Sequence, residues 1–293
     1  MKRAGFSTKW MPILLLLPQL VIIAVFFYWP AAHAIHSSFF LQDPFGFGST
    51  YVGIDNYTDL LGSSEYRRVA RFTVVFTVLV TFFSLALALL LAVKADNVLR
   101  GARTYRTLLM WVYAVAPPVA GFIGLIMFDQ SWGPLTRFAG YLGWDFVLGV
   151  NFNDTATAMV IVSVWKQIPV NFIFFLSGLQ SIPRAVREAA LIDNRSATGR
   201  FWDVTFPLLA PTGFFLLIIN ITYALFDTFG IIDTLVKGEP GNNPMTLVYK
   251  VYVDGFRGND MGGSSAQSVI LMVLVLALTV FQFRMIDRRI HYT

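Results

Sequence analysis

The 293-residue chain contains no cysteine, which excludes disulfide scaffolds, thiolate metal sites and cysteine nucleophiles. Histidine is scarce as well: His33, His36 and His291 are too scattered to form a metal site. Charge is the third shortage. Only 13% of residues are charged against 56% apolar, with a mean hydropathy of +0.63, whereas about 25% of an ordinary soluble domain is charged. Neither G-x-x-x-x-G-K-[ST] nor a helix-opening G-x-G-x-x-G occurs, so there is no loop to cradle a nucleotide phosphate. The net charge of +5 comes from short basic clusters beside apolar runs. It is therefore a signal of membrane topology rather than of nucleic-acid binding.

Long apolar sequence is what the chain has in abundance. Six stretches reach the roughly 20 residues needed to cross a hydrocarbon core about 30 Å thick: Trp10 to His33, Phe72 to Val93, Thr107 to Phe128, Thr155 to Leu179, Val204 to Phe226 and Met261 to Phe283. They are continuous and about twice the length of transmembrane barrel strands. An all-α membrane bundle of six spans is predicted. Lys166 is the one charge inside them. The intramembrane carboxylates that proton- or sodium-coupled carriers commonly use are missing, so any uphill movement draws its energy from another chain. The basic start and Ala32-His33-Ala34 imitate a cleavable signal peptide, but an apolar run of about 20 residues exceeds the 7 to 15 of a signal core. It is read as a retained span.

Direction follows from the charges. The side holding both termini and the loops after the second and fourth spans carries 14 basic and five acidic residues; the other carries seven basic and twelve acidic. Both termini are predicted to be cytoplasmic. Arg67, Arg68 and Arg71 lie at the outer end of the second span against this rule, in a loop with four carboxylates.

The cytoplasmic loop from Ser181 to Pro207 holds the most specific signal. Its first half reads as a short helix, with Ser181 as N-cap, Pro183 in the first turn and Asn194 suited to a left-handed ending. Ala185, Ala189 and Ile192 share one face. Glu188-Ala189-Ala190, the turn position Asn194, and the final Val204, Phe206 and Pro207 resemble the EAA loop of binding-protein-dependent ABC importer permeases. Asn194, Val204 and Phe206 stand where that pattern has Gly, Ile and Leu; Asn is the next-best residue for a left-handed turn, and the other two changes keep hydrophobicity. Tyr51-Val52-Gly53-Ile54-Asp55-Asn56-Tyr57 is similar to the outer-loop signature of the MalF-like permeases within that family. Asp43 to Gly48, Trp165 to Ile168, Phe226 to Phe229 and Ser265 to Val269 resemble its glycerol-phosphate branch.

The resemblance implies a type I permease with a first helix and outer loop over residues 1–70, and a five-helix core over 71–289 containing the coupling loop 181–207. It implies partners: a second homologous permease, a dimer of ATP-binding subunits, and an extracytoplasmic solute-binding protein, all at the inner membrane of a bacterium and in contact with its lipid. ATP and Mg would be bound by the ATPase, leaving this chain with no cofactor and no catalytic role. Glu188, Ala189, Ala190, Asn194 and Pro207 would couple to the ATPase. For the solute path the candidates are Lys166, Gln167, Asn171, Asn220 and Tyr223. Lys166 lies about 17 Å along the fourth span, too deep to snorkel easily. It could hold a substrate phosphate, pair with a carboxylate of the second permease, or simply be hydrated. A neutral sugar or polyol permease and a stand-alone secondary carrier or channel are the alternative functions. No constellation points to a membrane enzyme.

Overall fold

A computed structural model describes residues 10–43, 48–96, 102–193, 196–236 and 243–289. In chain order the elements are α1 (Trp10–Ile23), α2 (Trp29–Ser37), β1 (Phe40–Gln42), β2 (Ser49–Tyr51), α3 (Asp55–Gly62), α4 (Ser64–Asp96), α5 (Ala102–Trp111), α6 (Pro117–Met127) and α7 (Pro134–Tyr141). They continue with α8 (Phe152–Ser181), α9 (Arg184–Ile192), α10 (Ala197–Arg200), α11 (Phe206–Thr222), α12 (Phe229–Val236), α13 (Leu247–Tyr252) and α14 (Met261–Arg289). Wide i→i+5 turns at Ala24–Tyr28 and Phe201–Thr205 join helices without ending them, and another at Tyr223–Asp227 closes the helical stretch begun at Ala197.

Among the described residues five helical stretches are long and apolar enough to cross a membrane: Ile13–Ser37, Ser64–Asp96, Phe152–Ser181, Ala197–Asp227 and Met261–Gln282. The expected third span is different. Its residues form Thr107–Ala114 and Pro117–Met127, bent by 107°, so a single straight helix from Thr107 to Phe128 is corrected to a broken pair. The cause is local. Pro117 disfavours helix at Ala116, which is extended with ψ 146°, and then starts α6 from its first position.

By contacts the chain divides into two units, Met1–Ser64 with Val251–Ala277, and Glu65–Lys250 with Leu278–Thr293. In the first, β1 and β2 pair antiparallel with Phe40 opposite Tyr51. The signature Tyr51 to Tyr57 has a structural task there. Gly53 turns the chain at φ +61°, Asn56 Nδ2 donates to the carbonyls of Ser38 and Phe40 at 2.8 and 3.1 Å, and Tyr57 donates to Ser38 Oγ at 2.6 Å.

The second unit holds the core. Ala88, Ala92 and Ala95 recur on one face of α4 and meet Phe172, Phe175 and Leu176 of α8 and Leu209 and Leu216 of α11. A Cβ on Gly178 of α8 would lie 2.9 Å from Leu209 Cδ2. Lipid removes the hydrophobic incentive for helices to associate, so close packing through small residues takes over. Val74, Val78, Phe82 and Leu90 of α4 are exposed, as a lipid-facing surface requires.

Candidate functional site

The five polar candidates for a solute path fall into two places. Asn171 and Asn220 form a closed amide pair between α8 and α11: Asn171 Nδ2 donates to Asn220 Oδ1 at 2.9 Å, and Asn220 Nδ2 returns a bond to Asn171 Oδ1 at 2.7 Å. Asn220 Nδ2 also donates to the Leu216 carbonyl, and Ser84 Oγ of α4 donates to Asn220 Oδ1 at 2.7 Å. All three side chains are fully buried. Just above this clamp, the Tyr223 hydroxyl donates to the Ser163 carbonyl at 3.1 Å, again joining α11 to α8.

Lys166 points elsewhere. Five residues at about 100° each put it roughly 140° around the helix from Asn171. Its Nζ donates to the Tyr113 carbonyl at 3.1 Å and lies 5.5 Å from the Tyr113 ring centroid. Tyr113 belongs to the 3-10 turn Val112–Ala114 that ends the α5 helix before the bend. The ammonium thus sits at a helix C-terminus, where unpaired carbonyls favour a cation. Among the described residues no carboxylate pairs with it. Gln167 beside it is buried. Trp165 and Ile168 face a groove of about 710 Å³ between α4 and α8, walled by Phe76, Leu79 and Phe83. Those walls suit hydrocarbon better than an anion.

The loop from Ser181 to Pro207 is more helical than expected. Ser181 is the last residue of α8, its hydroxyl donating to the Gly178 carbonyl, and Pro183 rather than Ser181 is the N-cap of α9. Asn194 lies outside the described residues. Ser196 caps α10 by accepting from the Gly199 amide at 3.1 Å. From there the chain runs helically into α11, with Pro207 in its first turn. Proline offers no N–H to the carbonyl four residues back, and the wide turn Phe201–Thr205 lies just where that bond is lost. Glu188, Ala189, Ala185 and Ile192 are exposed on α9, whereas Ala190 is buried. Trp202 and Phe206 meet in a tilted contact with ring centroids 5.0 Å apart and stay exposed, as aromatic residues at a membrane interface do.

Two residues that sequence reasoning missed complete this region. Arg187 Nη1 donates to Asp96 Oδ2 at 3.0 Å, and Nη2 donates to the Leu179 carbonyl. The partners are 91 and eight residues away in sequence, and only the arginine adjoining Glu188 offered any hint.

A family model described as binding-protein-dependent transport system inner membrane component matches residues 63–292. The chain belongs to that family. This permease is 49% identical over 296 residues to the sn-glycerol-3-phosphate transport system permease protein UgpA of Brucella suis biovar 1 (strain 1330), covering 100% of both chains. It is 48% identical over 294 residues to the protein of the same name from Rhizobium meliloti (strain 1021), again across 100% of both. A solved bacterial ABC transporter involved in the import of the acidic polysaccharide alginate contains a chain that matches with a TM-score of 0.82 at 20% identity, over 97% of each chain. The same transporter in complex with alginate pentasaccharide-bound periplasmic protein gives 0.82, over 96% of this chain and 95% of that one. At that identity the likeness is one of fold. The permease is an all-α, multi-pass inner-membrane component of a bacterial ABC importer, a translocation subunit rather than an enzyme. Among the described residues no three His, Asp or Glu side chains gather to hold a metal.

Proposed function

We propose that this permease forms one half of the membrane channel of an ATP-driven importer for sn-glycerol-3-phosphate. The carrying observation is identity near one half, from end to end, to relatives named for that solute. In this reading a second homologous permease supplies the other half, a solute-binding protein delivers the cargo from outside, and a dimer of ATP-binding subunits holds the ATP and Mg. Both termini and α9 then face the cytoplasm.

The helix α9 is the docking element. Glu188 and Ala189 are exposed together on it: the carboxylate offers a charge-assisted hydrogen bond, of about 1.5 to 3 kcal/mol, to a cationic group of the ATPase, and the methyl allows close approach. Ala190 packs inward and Pro207 opens the returning helix. Along the solute path, Lys166 is the residue assigned to the phosphate, since the carbonyl it holds is neutral and among the described residues no carboxylate pairs with it. Gln167 lies next to it. Asn171, Asn220 and Tyr223 keep α8 and α11 in register behind it.

The docking role is tested by copurification. Ala189→Trp and Glu188→Ala should each lower the ATPase retained on the purified permease pair by about tenfold or more, in line with loss of a desolvated charge-assisted contact or of close packing. Full retention of the ATPase in both variants would overturn it.

A further inference from the structure

We propose that Arg187 is a positioning residue that ties the docking helix α9 to the ends of α4 and α8, so that a movement of α9 reaches both membrane-spanning helices at once. This rests on the coupling role proposed for α9.

The geometry is specific. One guanidinium, carried on α9, reaches Asp96 Oδ2 at 3.0 Å and the Leu179 carbonyl. Asp96 is the last residue of α4 and Leu179 lies in the final turn of α8. Two acceptors on two different helices need a planar fork of donors. Arginine provides five N–H groups in that arrangement, and lysine provides a single compact charge.

The charges explain why a cation belongs there. The last carbonyls of a helix lack intrahelical partners and make its C-terminus negative. Asp96 adds a carboxylate to the negative end of α4, which is unfavourable by itself. Arg187 offsets this and also takes up a carbonyl from the end of α8. The pair is sheltered on one side: the Asp96 side chain is 16% exposed and that of Arg187 41%, so solvent screens it only in part.

Among the described residues little of α9 is buried. Of its nine residues only Ala190 is buried, three positions from Arg187 and so on the same face. Glu188 and Ala189 are exposed. The helix therefore presents its docking residues outward, and among the described residues the Ala190 methyl and the Arg187 guanidinium are its inward anchors. Deeper in the bundle, the alanine face of α4 and the Ser84, Asn171 and Asn220 network bind α4, α8 and α11 together. A displacement entering at Arg187 is thus passed to helices already clamped to one another.

The test uses the complete complex, purified and reconstituted, with sn-glycerol-3-phosphate and its binding protein, and reads uptake per ATP hydrolysed. Arg187→Gln and Asp96→Asn should each assemble to normal yield and keep ATP hydrolysis within about twofold of wild type, while uptake per ATP falls by about 5- to 30-fold, a usual size for coupling between sites. Arg187→Lys keeps the charge and loses the fork, and should fall between. The exchanged pair, Arg187→Asp with Asp96→Arg, should recover part of the loss. An unchanged ratio in both single variants would overturn the proposal. So would a loss of uptake that merely follows complex yield, since that marks a purely structural contact. A wild-type preparation that neither retains the ATPase nor takes up the solute would instead defeat the proposed function, so the two failures are read from different samples.

Discussion

A cation in the middle of a membrane-spanning helix needs an acceptor, and Lys166 has taken the carbonyl that the α5 helix leaves unpaired at Tyr113. A lysine at that depth facing lipid costs about 2.5 to 3.5 kcal/mol on insertion scales, and the Tyr113 carbonyl spares Lys166 that exposure; the proposed function gives the same charge to the cargo. Lys166→Met keeps most of the apolar stem. It should assemble normally and slow uptake of the phosphorylated solute by about tenfold or more, comparable with losing a hydrogen bond to a charged group, with Lys166→Arg recovering part of it. Uptake at the wild-type rate in the Met variant would remove the lysine from the path. The amide pair makes a different prediction at the same scale. Asn220→Leu leaves the Asn171 amide and the Ser84 hydroxyl without their partner, whereas Asn171→Leu with Asn220→Leu removes both amides. Interhelical hydrogen bonds in membranes average about 0.6 kcal/mol and reach about 1.7. A double-mutant cycle on detergent unfolding should therefore show the double variant destabilised by less than the sum of the singles. Strict additivity would mean that the pair does not act as a unit.

At the scale of elements, the packing of α6 on α12 depends on glycines. A Cβ on Gly121 would lie 2.8 Å from Thr234 Cβ and 3.0 Å from the Ile231 carbonyl, and one on Gly230 would meet Pro118 at 3.0 Å, whereas around Gly140 of α7 there is open space. Gly121→Ala should lower the unfolding midpoint, by about 1 to 3 kcal/mol of overpacking. Gly140→Ala, gaining helix propensity of up to about 1 kcal/mol, should leave the midpoint unchanged or raise it. Equal effects at the two positions would refute the close approach of α6 and α12. The same helix shows why hydropathy has limits. Thr107 to Phe128 is apolar throughout, so length and composition alone read one span, while the break lies in Pro117 and the extended Ala116 before it. The other spans were legible because long uncharged runs leave the backbone no alternative to helix in lipid. The short helix α9 was legible from its capping residues and alanine face, and its N-cap shifted only from Ser181 to Pro183. What remained hidden were partnerships between distant positions: Asn171 with Asn220 across 49 residues, and Asp96 with Arg187 across 91. No local pattern states which face of one helix meets which face of another.

At the scale of the whole molecule, a lipid-facing exterior is combined with the exposed helix α9 and, among the described residues, a buried lysine held by a neutral carbonyl. In the proposed function its energy comes from the partner ATPase and its specificity from what the assembled channel admits. The most direct measurement is uptake of labelled sn-glycerol-3-phosphate into proteoliposomes carrying this permease with its second permease and ATPase, in the presence of the solute-binding protein. The account predicts uptake that requires ATP on the ATPase side, requires the binding protein on the other, and resists competition by excess glycerol or maltose. Uptake that proceeds without ATP, or a complex that carries the neutral solutes and ignores the phosphorylated one, would contradict it.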